Sequence, residues 1–367
     1  MEAKNLAALA AMSNRYGADP GHVLAGGGNT SYKNATHMWI KGSGTSLATI
    51  RAEEFVAMDR AKLQDMWQKT YPEKEADREA AVLQDTMDAR IPGETRRPSV
   101  ETLLHDLFPQ KFILHTHPGL VNGLTCSVGG EGMMKKLFSD AVWVDETKPG
   151  YTLAMTCKQA MDAYRQEKGA DAQIMFLGNH GLFLAADTTE EIDALANRVM
   201  GVLTAAVQRQ PQLEALSYDA ARVEAICKQL ASLYGGEQEA VVLFMTNPEI
   251  LRYDPTTGSL SPDHIVYAKA RQLAVQDENL LPQQFAAFAK ETGYAPRITF
   301  VEGLGMFACG LNEKEAATAQ AVMLDAIKVV VYAESFGGVS PMAKELVDFI
   351  LGWEVERYRS KVSLAQK

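Results

Sequence analysis

Three histidines set the chemistry this sequence could do. His115 and His117 stand two residues apart in FILHTHPGL (112–120), and His180 stands between glycines in GNHG (178–181). An apolar run enters the first pair and a proline follows it, so the pair reads as the end of a strand. Residues i and i+2 of a strand project to one face, which puts two imidazoles at a separation one metal ion can bridge. Neutral imidazole suits zinc, and catalytic zinc takes three protein ligands while keeping a position open. His180, at a tight turn where glycines allow close backbone approach, is the candidate third ligand. An HxH pair also occurs by chance in surface loops, so spacing alone leaves a structural reading beside the metal one. His22, His37, His105 and His264 have no partner at such a spacing and read as structural.

Two Gly-rich loops and one carboxylate complete the set. GGGNTS (26–31) and KGSGTS (41–46) offer convergent N–H groups, hydroxyls and one lysine, Lys41. Such loops suit a phosphate, although Gly-rich turns also serve simply as turns. Neither has P-loop spacing, and neither is GxGxxG leading into a long helix. Glu101 lies in PSVETLLHDLF, where a helix is expected to start at Pro98–Ser99. A glutamate in a first helical turn suits the helix dipole; a chemical role requires that helix start to face the histidines.

These residues need a scaffold. The chain has 367 residues, enough for two domains, with 47% hydrophobic and 22% charged residues. A net charge of −10 argues against nucleic acid or an anionic membrane as partner. Four cysteines without CxxC spacing read as free thiols in a reducing compartment. The N-terminus lacks the pattern of a signal peptide, and no run is expected to reach the length of a membrane span; the reading is a cytoplasmic protein.

Residues 4–16 have helical spacing, and strands are expected within 25–33 and 36–46. Residues 51–69 read as helix, and 70–98 as a charged excursion with one helical piece. A strand carries the HxH pair, a helix runs to Gly169, a hairpin surrounds GNHG, and a long helix follows, capped by Thr188 or Thr189. A polar join around Pro211 separates residues 1–211, the candidate catalytic domain, from a smaller α/β domain at 212–367. In the latter, AVVLFM and PRITFVEG read as strands and PDHIVYAKA as a loop. No internal repeat is evident.

GGGNTS, WIKGSGTS, PSVETLLH, ILHTHPG and LGNHGLF, in that order over residues 5–208, resemble the class II (zinc-dependent) aldolase/adducin family. SPDHIVYAKA, VEGLGMFACG and ILGWEVERYRSK resemble the region after the aldolase domain in bifunctional rhamnulose-1-phosphate aldolase/short-chain dehydrogenase proteins; the sequence ends before a dehydrogenase domain would begin. The resemblance implies a three-layer α/β/α fold around a mostly antiparallel sheet. It makes His115, His117 and His180 zinc ligands, Glu101 the acid/base, and Gly28, Asn29, Ser43, Gly44 and Ser99 the phosphate contacts. It implies cleavage of a phosphorylated ketose to dihydroxyacetone phosphate and a short aldehyde through a metal-stabilised enediolate, in a homo-oligomer such as a tetramer. Val100 stands where a second serine is common in the family, and Trp143 or Lys148 where a tyrosine is. A pentulose-phosphate 4-epimerase and a sugar-acid phosphate decarboxylase would use the same metal site. A non-catalytic adducin-like scaffold would be expected to lack the histidines.

Overall fold

The structure, a computed structural model, describes residues 2–353. ILGWEVERYRSK therefore lies outside the described residues from Glu354 on. The chain divides into two compact units: residues 1–121 with 130–205, and residues 122–129 with those from Ala206 on.

The first unit is built on a seven-stranded sheet. Its strands are β1 (Asn29–Lys33), β2 (His37–Ile40), β3 (Val56–Asp59), β4 (Phe112–Thr116), β5 (Ala141–Val144), β6 (Ile174–Leu177) and β7 (Gly181–Ala186). They lie in the order β3-β2-β1-β4-β7-β6-β5. Only β5 and β6 run parallel; all other pairs are antiparallel, as the resemblance implied. β4 is buried at every position, which accounts for the apolar run Phe112–Leu114 that opens it. One face carries Ile40, Val56, Met58, Ile113, Met175 and Phe183 in a continuous core.

The helix expected over 51–69 is corrected. Val56 and Met58 are fully buried and pair with β2 as an edge strand, and the helix begins only at Arg60. Asp59 stops the strand and caps the helix, its carboxylate accepting from the N–H groups of Ala61 and Lys62.

The second unit carries β8 (Val241–Met245), β9 (Leu273–Val275), β10 (Ile298–Val301) and β11 (Gly305–Gly310) in the order β8-β11-β10-β9. This repeats β4-β7-β6-β5. In both, the two outer strands at one end run antiparallel, and the pair at the other end runs parallel. The hairpins share one register: Ile174 faces Leu184 and Leu177 faces Gly181, as Ile298 faces Ala308 and Val301 faces Gly305. Both turns hold a residue at positive φ, Asn179 (52°) and Gly303 (68°). Both hairpins lead into a helix through the same cap. Thr188 Oγ1 accepts from Glu191 N–H while Glu191 accepts from Asp187 and Thr188 N–H. Asn312 Oδ1 accepts from Glu315 N–H while Glu315 accepts from Leu311 N–H. The expectation of no internal repeat is thus overturned. IMFLGNHGLF and ITFVEGLGMF share only Ile, Phe, Gly and Phe at matching places; packing and turn geometry constrain little more than those.

Two further expectations change. PDHIVYAKA holds a helix, Pro262–Ala268, capped by Ser261 and buried at all seven positions. A short helix buried on every side, Asp263 and His264 included, shows no 3.6-residue apolar period to read. The helix Glu313–Phe336 is also long and apolar enough by length and composition to cross a membrane, with 56% of its most apolar stretch buried in the protein. It packs on β11 and β8 and against the helix Pro262–Ala268, and that burial accounts for its apolar composition.

Candidate active site

Cross-strand pairing builds the site. Asn29 on β1 faces His115 on β4, and His115 faces Phe183 on β7, so the three lie in one row across the sheet. The ring of Phe183 stacks on that of His115, centroids 4.0 Å apart. His117 lies just past the end of β4, and His180 sits in the β6–β7 turn. Gly181 is required beside it: a Cβ there would stand 2.6 Å from Thr116 O and from His117 Cδ2. Gly28, at φ 68°, lies equally close against the backbone of His115, 2.8 Å from its carbonyl oxygen to a Cβ.

The three histidines converge, one ring nitrogen from each lying within 4.8 Å of the others. His115 Nδ1 donates to Leu182 O over 2.9 Å, which leaves the Nε2 lone pair for the cluster. That Nε2 is 2.9 Å from His117 Nε2. Two lone pairs at this separation need a cation between them or a proton shared. Buried imidazoles converging on one point fit a divalent metal, so this cluster can hold one.

Glu101 approaches the same point. Its Oε1 is 3.4 Å from His115 Nε2 and from His180 Nε2. Its Oε2 accepts from Asn29 Nδ2 at 2.5 Å. Burial by itself would raise this carboxyl, but the three histidines prevail and hold it well below the usual carboxylate range. Glu101 is the cap residue of the helix Thr102–Leu107, at φ −91° and ψ 15°, not a residue of its first turn as expected. Leaving the helical path points its side chain at the histidines.

The residues expected to hold phosphate lie around this carboxylate. Lys41 O accepts from Ser99 N–H (3.1 Å) and Arg97 O from Ser43 N–H (2.8 Å), so the loop with Ser43 and Gly44 (φ 82°) runs beside the segment entering Glu101. Ser99 Oγ accepts from Glu101 N–H at 3.2 Å and from Asn29 Nδ2 at 3.3 Å. Both arms of the Asn29 side chain thus meet protein groups, its oxygen being engaged by His105 Nε2.

His105, read as structural from its spacing, is joined to the site. It is fully buried, and its Nδ1 lies 2.7 Å from Ser31 Oγ. Its signal was the i, i+4 spacing from Glu101, which puts both on one side of a helical turn. Lys33, fully buried as well, donates from Nζ to His105 O; a lysine in a strand gave no sign of that.

The pattern of the class II aldolase and adducin N-terminal domain matches residues 7–208, and that of the class II aldolase second domain matches residues 287–358. The chain belongs to the class II aldolase/adducin family. A curated relative from Bacillus subtilis (strain 168), described as the uncharacterized oxidoreductase YuxG, is 24% identical over 413 residues, covering 97% of this chain and 58% of that protein. The chain thus spans little more than half the length of that relative. Among solved structures, the N-terminal class II aldolase domain of a conserved Thermoplasma acidophilum protein is 26% identical, with a TM-score of 0.46, over 54% of this chain and 91% of that one. The L-fuculose-1-phosphate aldolase of Thermus thermophilus is 16% identical, with a TM-score of 0.37, over 56% and 94%.

Proposed function

We propose that the first unit is a zinc-dependent aldolase that splits a phosphorylated ketose of the rhamnulose 1-phosphate kind into dihydroxyacetone phosphate and a short aldehyde. The observation that carries this reading is the approach of one carboxylate oxygen, Glu101 Oε1, to two of three convergent imidazoles.

His115, His117 and His180 would hold the metal. Bound there, it would supply Lewis acidity toward the carbonyl and hydroxyl oxygens of the ketose. Glu101 carries the proton: in the condensing direction it takes the hydrogen from the carbon that becomes nucleophilic, and in cleavage it returns it. Asn29 fixes Oε2, so Oε1 is the oxygen that faces the reacting carbon. The loops at Gly28 and at Ser43–Gly44, with Ser99, anchor the phosphate, and this remote binding holds the carbon in place. Four cysteines outside any disulfide and the acidic composition support a cytoplasmic setting.

The test is purified protein with L-rhamnulose 1-phosphate, dihydroxyacetone phosphate being read through coupled NADH oxidation alongside metal analysis. The reading expects about one zinc per chain and cleavage lost to a chelator and restored by zinc. Metal with no triose phosphate, or with carbon dioxide or an epimer as product, would refute the aldolase. A chain that takes up no zinc would refute the site.

A further inference from the structure

The reading above uses Glu101, yet this carboxylate is not held by its own helix, which caps without a side-chain bond. It is held by Asn29, and Asn29 is held by His105. The direction of each hydrogen bond in this chain is dictated by chemistry. An ionised carboxylate only accepts, so the Asn29 NH2 must face Glu101 and the Asn29 oxygen must face away. That oxygen meets His105 Nε2, so Nε2 must carry the proton. Burial outweighs the opposing pull of the Glu101 carboxylate and holds His105 well below its ordinary pKa, so the ring is neutral and Nδ1 is an acceptor. Ser31 Oγ, 2.7 Å from Nδ1, then donates. Every group is buried: Ser31 and His105 have no exposed surface and Asn29 has 5%. An amide free to rotate by half a turn would present its oxygen to the carboxylate and repel it.

We propose that His105 is a positioning residue for catalysis: through the chain Ser31 to His105 to Asn29 it fixes the Asn29 amide, and thereby aims Glu101 at the reacting carbon. This rests on the aldolase reading above.

Two variants separate aiming from mere packing. In H105Q the amide nitrogen can take the place of Nε2 and still donate to Asn29, while the bond to Ser31 is lost. In H105N the amide reaches only the Nδ1 position, keeping Ser31 and losing Asn29. Each loses one buried hydrogen bond, so a structural role would affect both alike. The proposal expects H105N to lower kcat about 10–100-fold, the usual effect of removing such an outer partner, with KM and bound zinc unchanged, and H105Q to recover most of that loss. Equal kcat losses in the two variants, or a loss seen only in KM, would overturn it. A second readout needs no substrate: imidazole nitrogen NMR of the wild-type protein should show His105 neutral with its proton on Nε2 at pH 7. A proton on Nδ1, or a cationic ring, would overturn the proposal even if the enzyme is active. If the wild type cleaves no ketose phosphate while the tautomer is as stated, the aldolase reading fails and the hydrogen-bonded chain stands.

Discussion

Removing the charge of Lys33 should stabilise the first unit at neutral pH, by an amount that shrinks as pH rises. Lys33 lies at the end of β1 with 1% of its surface exposed. Its burial lowers the ammonium from the usual 10.5 to about 7, against the opposing pull of Asp106 and with a smaller push in the same direction from Arg60. The sign follows from the protons bound by each state. Above pH 10.5 both the folded and unfolded chains hold Lys33 neutral, and the residue is indifferent. Between 10.5 and 7 the unfolded chain takes up a proton that the folded chain refuses, so unfolding is favoured progressively as pH falls. Below 7 both are charged and the penalty stays constant. Each tenfold loss of proton affinity is worth about 1.4 kcal/mol, so the drop from 10.5 to about 7 allows at most about 5 kcal/mol. In K33M an unbranched side chain of similar length fills the same space. It gives up the bond from Nζ to His105 O, which costs about 1–3 kcal/mol at every pH. The informative quantity is therefore the pH dependence of the gap between variant and wild type. It should favour the variant most at pH 7 and fall steadily toward pH 10, where the lost bond leaves the wild type the more stable. Urea unfolding followed by tryptophan fluorescence measures it, since three of the four tryptophans, Trp39, Trp67 and Trp143, belong to the first unit. A gap that stays constant from pH 7 to 10 would mean that Lys33 keeps its proton in the folded protein, and the burial argument would be refuted.

Other substitutions test the site directly. E101Q should keep its zinc by metal analysis and lose turnover by about 10²–10⁴-fold; full turnover would remove Glu101 from proton transfer. H180A and H117A should each lose zinc in equilibrium dialysis, and retention of a full equivalent would exclude the three-histidine site. G181A places a methyl 2.6 Å from Thr116 O and from His117 Cδ2; because one neighbour is backbone that cannot yield, the melting temperature should fall and zinc affinity with it. The triple variant F244H/T246H/L304H puts histidines at the places in the second sheet that match His115, His117 and His180. It should take up a second zinc by mass spectrometry, and uptake of only one would show that these places do not converge.

Much of the first unit could be read from residue pattern, because its strands and helices carry local signals. Gly169 ends its helix in the left-handed conformation, and the cap at Thr188 has both of its reciprocal bonds. The readings failed where burial removed the pattern or where long-range pairing decided. VAMD is β3 because β2 needed a neighbour, a fact no local window contains. PDHIVYAKA forms a helix with no exposed face to reveal it. The histidine cluster was legible because strand geometry makes i and i+2 neighbours. His105 was not, because its partners Asn29 and Ser31 lie more than seventy residues away. Spacing along the chain shows which residues share a face; it does not show which faces meet.

The repeated half-sheet amounts to a control experiment carried in the same polypeptide. The second copy keeps the strand order, the hairpin register, the turn with a residue at positive φ and the reciprocal cap. Its register puts Phe244, Thr246 and Leu304 where the first copy has its three histidines. Folding this arrangement therefore does not require imidazoles, and the imidazoles have not shaped it. In the first sheet the histidines are expected to be cargo on a frame that would close without them. Substitutions at these three places are accordingly expected to alter reactivity far more than architecture, and the chemistry of such a frame is free to change while its shape persists.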